Sequence, residues 1–389
     1  MKTQDHTAAR PTDRAIRQVI RVLSLTAAAN VPFIAHAQSS VTLSGILDSG
    51  LLYANNSGGH AKWAATSGQT SPSRWIMTGS EDLGNGLSTV FKLTSPFNLQ
   101  NGRSPGRAFN VAYVGLSDLR FGTLTFGRQW DTTIDTVANF ASNETWAGYV
   151  GAHIGDNDNT NATTKISNAV KYMSPQWAGF SFGATYAFSN DTDFAENRLI
   201  SAGASYTHGP LALGIGFRQA DRPTAQAAGA IGSPGPGVAN DYANPFTTSI
   251  ASTAGVQRQR NYLAGASYQI GRFLLGGMYS RVQYHYLDAT SLTLDNYEVN
   301  LSFNITPAWQ TSVAYIRTNG QYEGGGTNGQ EPGWDQINAG TQYSLSKRTM
   351  VYLIAAAQQG RHATAQIYGV APSSTRRQVV ATAGLAHRF

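Results

Sequence analysis

From Tyr297 to Ile305 the chain takes strict turns between apolar and polar residues: Tyr297, Val299, Leu301, Phe303 and Ile305 alternate with Glu298, Asn300, Ser302 and Asn304. Phe180, Phe182, Ala184, Tyr186 and Phe188 alternate in the same way with Ser181, Gly183, Thr185 and Ala187. So do Leu211, Leu213, Ile215 and Phe217 with Ala212, Gly214, Gly216 and Arg218, and Ile337, Ala339, Thr341, Tyr343 and Leu345 with their polar neighbours. A period of two puts successive side chains on opposite faces of a β-strand. The non-apolar face carries Ser, Asn, Gln, Gly and Thr rather than the many Lys and Glu of a sheet washed by bulk water. It suits a wet, crowded interior behind a lipid-facing exterior.

Sixteen such segments can be placed, beginning with Val41–Ala54, Ser73–Glu81, Leu87–Phe97 and Arg107–Leu116, and ending with Thr349–Gln358 and Arg376–Phe389. The links after the even segments are tight, such as Asp82–Gly86, Ser117–Arg120 and Gly271–Arg272. Those after the odd ones are mostly longer, up to Asp131–Thr164 and Ala220–Arg260. Short turns at one end and long loops at the other are the pattern of a membrane barrel, and a soluble sandwich has no reason to sort its loops this way. An even count also brings the first and last segments to the same side, where they can pair and remove the sheet edge. Trp177, Phe180, Tyr206, Phe303, Trp309 and Tyr343 gather near the turns as one interfacial girdle. The predicted fold is therefore all-β, a 16-stranded antiparallel transmembrane β-barrel.

Composition sharpens this. Arg14, Arg17 and Arg21 precede an apolar stretch, Val22 to Ile34, and then Ala35-His36-Ala37. That is the layout of a secretory signal peptide, expected over residues 1–37, with the barrel domain over 38–389. Without it, 23 basic side chains remain against 20 acidic ones, scattered along the chain. No basic stripe is left for nucleic acid, which is not an expected partner. Cysteine is absent, so neither disulfides nor thiolate metal sites hold the fold. Only 13% of residues are charged and 41 are glycine, against about 25% charged in ordinary soluble domains. No apolar run after Ala37 is long enough to cross a bilayer as a helix, so a membrane location requires a closed barrel.

The motifs themselves carry a resemblance. They are Ser40-Val41-Thr42-Leu43-Ser44-Gly45, Thr78-Gly79-Ser80-Glu81-Asp82-Leu83-Gly84-Asn85-Gly86-Leu87, Tyr113-Val114-Gly115-Leu116, Phe121-Gly122-Thr123-Leu124-Thr125-Phe126-Gly127-Arg128-Gln129, Asn168-Ala169-Val170-Lys171-Tyr172 and Gly384-Leu385-Ala386-His387-Arg388-Phe389. In this order they resemble the general diffusion porins of Gram-negative bacteria, of the β-proteobacterial type, over essentially the whole mature chain. The resemblance implies a homotrimer in the outer membrane, in contact with its lipid and lipopolysaccharide, passing small hydrophilic solutes and ions without a cofactor. It also implies that Phe389 is part of a signal read by the barrel-assembly machinery, ending a strand whose Val379, Ala381, Ala383, Leu385 and His387 face lipid.

The same resemblance implies that the third loop, Asp131 to Thr164, folds inward as a constriction. It would present Asp131, Asp135, Glu144, Asp156 and Asp158 to a basic wall of Arg74, Arg128 and Lys171, with Lys92 added on the lumen-facing parity. Thr78 and Asn110 stand where relatives often carry Lys or Arg, and the acidic aromatic-glycine motif of enterobacterial relatives is missing from the loop. A transverse field across the narrowest point orients polar solutes and filters ions by charge. The wall cations and the positive balance lead to an expected weak anion preference.

Other chemistry in the sequence weighs less. Gly155-Asp156-Asn157-Asp158-Asn159 clusters oxygen ligands but lacks, at the proper spacing, the Gly and distal Glu of a calcium loop. Gly179-Phe180-Ser181-Phe182-Gly183 matches a nucleophile elbow but lies inside an alternating strand, where that motif cannot make its strand–turn–helix. The histidines lack metal-ligand spacing, and His153 in the constriction segment is the one candidate for a pH-sensitive charge. An outer-membrane enzyme barrel would need a converging nucleophile, base and acid that the residues do not supply. An adhesin or phage-receptor barrel would work through its loops and conduct nothing.

Overall fold

The structure, a computed structural model, describes residues 39–104, 106, 108–223, 229–231, 246 and 254–389. The leader expected over 1–37 and the Arg107 start of the fourth expected segment lie outside the described residues. Among the described residues seventeen strands follow one another: β1 (Ser40–Ser57), β2 (His60–Ser67), β3 (Arg74–Gly84), β4 (Leu87–Pro96), β5 (Val111–Asp118), β6 (Gly122–Gln129), β7 (Ile166–Met173), β8 (Phe180–Ala187) and β9 (Arg198–His208). The second half comprises β10 (Leu211–Asp221), β11 (Val256–Ile270), β12 (Phe273–Tyr286), β13 (Ser291–Thr306), β14 (Trp309–Glu323), β15 (Gly333–Ser344), β16 (Thr349–Arg361) and β17 (Arg377–Arg388).

Seventeen strands make sixteen staves. β1 pairs with β3 over Ser40–Ile46 and with β2 over Ser49–Ser57, so β2 and β3 lie end to end as one stave interrupted at residues 68–73. Neighbours pair antiparallel around the sheet, and β1 meets β17 from Ile46 opposite Arg388 to Ala54 opposite Val380. The result is a closed 16-stranded antiparallel barrel. At the seam, Phe389 N donates to Gly45 O at 3.1 Å and Gly45 N donates to Phe389 O at 3.0 Å.

The two faces are inverted relative to a soluble protein. Outward Ile215, Val299 and Leu353 are 61%, 58% and 53% exposed, while inward Ser280, Asn296 and Asn338 are fully buried. Apolar side chains out and polar ones in fit hydrocarbon outside the wall. Trp177, Phe180, Trp309 and Tyr343 are exposed at the short-turn end, and Phe303 stacks on Phe273 there with ring centroids 4.5 Å apart.

The strands run further than the alternation indicates. β11 to β14 hold 15, 14, 16 and 15 residues, beyond the roughly 9–11 needed to cross a bilayer. Their loop-side ends are apolar on the inward face as well. Val256, Val282, Tyr284, Tyr286, Leu292 and Leu294 bury there with Ile231 and Phe246 of the segment between β10 and β11. On β16, Tyr352, Ile354 and Ala356 bury in the same way against Trp146, Val150 and Ile367. Where loops fold into the mouth, both faces of a strand are apolar and the period of two fades.

Candidate functional site

The third loop is built into the lumen from its first residue. Asp131 caps the short helix α1 (Thr132–Thr136), its Oδ1 accepting from Thr133 N at 2.9 Å, as an aspartate does at an N-cap. Its other oxygen faces Arg218 Nε at 3.3 Å, both side chains being buried. α1 and Phe140 then lie on a glycine-rich patch of wall, beside Leu263 and Met278. A Cβ at Gly203, Gly214, Gly216 or Gly265 would come within 2.1–3.0 Å of Thr133, Thr136 or Phe140. Further along, Trp146 covers Gly340 on β15.

The polar inward residues act as hooks for this loop. Asn300 Nδ2 donates to Phe140 O at 2.8 Å, Gln342 Nε2 to Trp146 O at 3.1 Å and Gln336 Nε2 to Val150 O at 2.9 Å. Glu298 is the strongest hook: its Oε1 accepts from Ser142 N at 2.6 Å and its Oε2 lies 3.0 Å from His153 Nε2. The other ring nitrogen of His153 is 2.6 Å from Asp158 Oδ2, which also accepts from Ser280 Oγ at 2.5 Å. Burial opposes a charge on His153, and the Asp158 and Glu298 carboxylates more than offset it, so the pKa is raised and the imidazolium is the stable form. Burial likewise opposes the charge on Asp158, which His153 and its hydrogen-bond donors hold below the usual carboxylate range.

The third loop faces the wall of β3 to β7 across a gap. A cavity of about 190 Å³ is lined there by Arg74, Asn110, Trp130, Glu144, Tyr149 and Lys165, among others. Arg74 is fixed by Ser71 Oγ and Pro72 O, which accept from its Nη1 at 2.9 and 3.0 Å. Lys92, opposite Thr78 on the inward face, places Nζ 5.6 Å from the centroid of the Trp130 ring. Lys171 pairs with Asp135 and donates to Trp130 O at 3.1 Å. Burial pushes the Glu144 carboxyl up, and the charges of Arg74 and Lys165 partly offset that.

The structure thus brings together Arg74, Lys92, Lys171, Asp135 and Glu144, and separates the other expected site residues from them. Asp131, Asp156 and Asp158 are buried in the packing of the loop. Asp156 accepts from Asn161 N at 2.9 Å and Thr163 Oγ1 at 2.5 Å. The register sets Arg128 opposite Ala112, on the face of Phe126 and Val114 rather than on the lumen face, and its Nη1 donates to Ser167 Oγ at 2.7 Å. Gly127 and Gln129 flank it on the inward face beside a bulge in the pairing with β7. His153 is sealed behind the loop and does not reach the channel. Ser181 shares a hydrogen bond of 2.9 Å with Ser205 across β8 and β9. Lys165, which the sequence reading missed, lines the cavity; it stands beside the Thr164 loop end and gave no periodic signal.

Comparison with known proteins places this architecture. A family model described as Gram-negative porin matches residues 24–363. An outer membrane porin protein of Bordetella pertussis is 30% identical over 347 residues, covering 82% of this chain and 88% of its own length. Among solved structures, the anion-selective porin from Comamonas acidovorans superposes with a TM-score of 0.70 at 22% identity, over 90% of this chain and 100% of that one. OmpT of Vibrio cholerae, in its trimer form, superposes with a TM-score of 0.67 at 16% identity, over 90% of this chain and 99% of that one.

Proposed function

The chain belongs to the Gram-negative porin family and forms a water-filled outer-membrane channel for passive diffusion, and from that premise we propose that its constriction gives it a weak preference for anions and small anionic hydrophilic solutes. Family membership points to a channel rather than an enzyme. One observation carries the preference: Arg74, Lys92, Lys165 and Lys171 border the constriction against only two lumen-exposed loop carboxylates, Asp135 and Glu144. Lys171 and Asp135 neutralise one another, so the remaining field points from Arg74, Lys92 and Lys165 toward Glu144. In a narrow pore with low-dielectric walls, such a field raises the local concentration of the opposite charge. The anion selectivity of the Comamonas relative agrees with this reading.

We take the working unit to be a homotrimer, by likeness to the trimeric relative. The outward arginines near the loop ends support contact with phosphate-bearing lipopolysaccharide. Arg281 holds Asp295 at 2.8 and 3.0 Å, and Arg361 holds Asp335 at 2.9 Å, with Tyr279 and Tyr315 donating to the same two carboxylates. Phe389 and the outward residues of β17 would be the signal for barrel assembly.

Reversal potentials across a planar bilayer under a salt gradient test the preference. The wild-type channel should favour the anion. Arg74→Ala should lower the anion-to-cation permeability ratio severalfold and Glu144→Gln should raise it. A wild-type potential of cation-preferring sign overturns the proposal.

A further inference from the structure

Where the second stave is interrupted, residues 68–73 leave the ladder and their backbone groups need other partners. Asp48, fully buried on the inward face of β1, supplies them. Its Oδ2 accepts from Thr70 N at 2.8 Å, Thr70 Oγ1 at 2.5 Å and Ser71 N at 3.2 Å, and its Oδ1 accepts from the Tyr352 hydroxyl at 2.7 Å. The main chain of the same residue pins both ends of the break. Gly68 N donates to Asp48 O at 2.9 Å, and Asp48 N donates to Ser73 Oγ at 3.0 Å.

The break has two contacts with the constriction. Ser71 Oγ and Pro72 O hold Arg74 Nη1. Gln69 O accepts from Tyr149 N of the third loop at 3.0 Å, next to Gly148, whose φ of +57° and missing Cβ permit the approach. A Cβ there would lie 2.1 Å from Gln69 O. Asp48 itself does not line the cavity.

We infer that Asp48 is a positioning residue for the constriction: by holding the break folded into the lumen it fixes the Arg74 guanidinium and the apex of the third loop, and so sets ion preference through Arg74 rather than through its own charge. This rests on the proposal that Arg74 makes the pore favour anions. The two ways in which Asp48 could matter have opposite signs. Deleting a wall carboxylate that acts by its field raises anion preference. Deleting one that acts by holding Arg74 lowers it.

Reversal potentials for Asp48→Asn, Arg74→Ala and the double variant decide between them, each barrel first being checked for assembly by heat-modifiable gel migration. Asp48→Asn keeps the shape and removes the anionic acceptor. The expected result is a severalfold fall in the anion-to-cation permeability ratio that adds nothing in the Arg74→Ala background. A rise in anion preference, no change, or an effect additive with Arg74→Ala overturns the inference. If Arg74→Ala alone has no effect, the anion reading itself fails instead. Should Asp48→Asn not assemble, Tyr352→Phe carries the same test with every charge in place: a smaller fall is expected, and an unchanged potential overturns the inference.

Discussion

Asp156 sits inside the third loop with Asn161 N and Thr163 Oγ1 as donors, and burial together with the nearby Asp158 charge pushes its pKa up to about 7, while those donors partly offset the rise. A carboxyl with a raised folded-state pKa binds its proton more tightly folded than unfolded. Its contribution to stability is therefore complete below the ordinary aspartate range and is lost as pH rises through about 7. Hydrogen exchange of the loop amides should accordingly quicken, beyond its intrinsic pH dependence, between acid and neutral pH, and Asp156→Asn should remove that component. Exchange with the same pH profile in both proteins would show that the carboxyl is not titrating there. Five acidic residues of this loop look alike in the sequence, and two of them reach water. The difference is invisible because an irregular loop has no period: neither Asp131 under Arg218 nor Asp158 under His153 is marked by spacing.

The third loop as an element is held by two buried charged clusters, Asp131 with Arg218 and Glu298 with His153 and Asp158. Removing one member of a buried charged set costs about 3–5 kcal/mol because its partners are left unmatched. Glu298→Ala frees the Ser142 amide and one nitrogen of His153, so the middle of the loop should lift from β13. Single-channel recordings should then show larger and noisier currents than wild type; steady currents of wild-type size would rule the anchor out. The strands that carry the loop were largely legible, since alternation is a direct consequence of lipid on one side and polar contacts on the other. β2 was not. In His60–Ser67 the outward residues are Ala61, Trp63, Ala65 and Ser67, with one large apolar side chain among them, so the alternation has no amplitude. The break after it looked like loop because the ladder partners it lacks are supplied by Asp48, some twenty residues upstream.

On the scale of the whole molecule, the barrel closes where β1 meets β17, and the Phe389 ring occupies the space above Gly45. A Cβ on that glycine would lie 2.4 Å from the ring. The motifs at Ser40–Gly45 and Gly384–Phe389 are thus parts of one structure. Phe389→Ala or Gly45→Val should lower the share of chains that reach the compact, heat-modifiable form, measured on unheated gels; unchanged yields for both would remove the seam from the assembly step. The glycine-rich wall beneath α1 and Phe140 carries a separate consequence. Any side chain grown at Gly214 or Gly265 acts as a shim beneath the loop, driving it toward the opposite wall and shrinking the aperture. Permeability to bulky solutes, antibiotics among them, can therefore be tuned by single substitutions that never touch the path the solute takes.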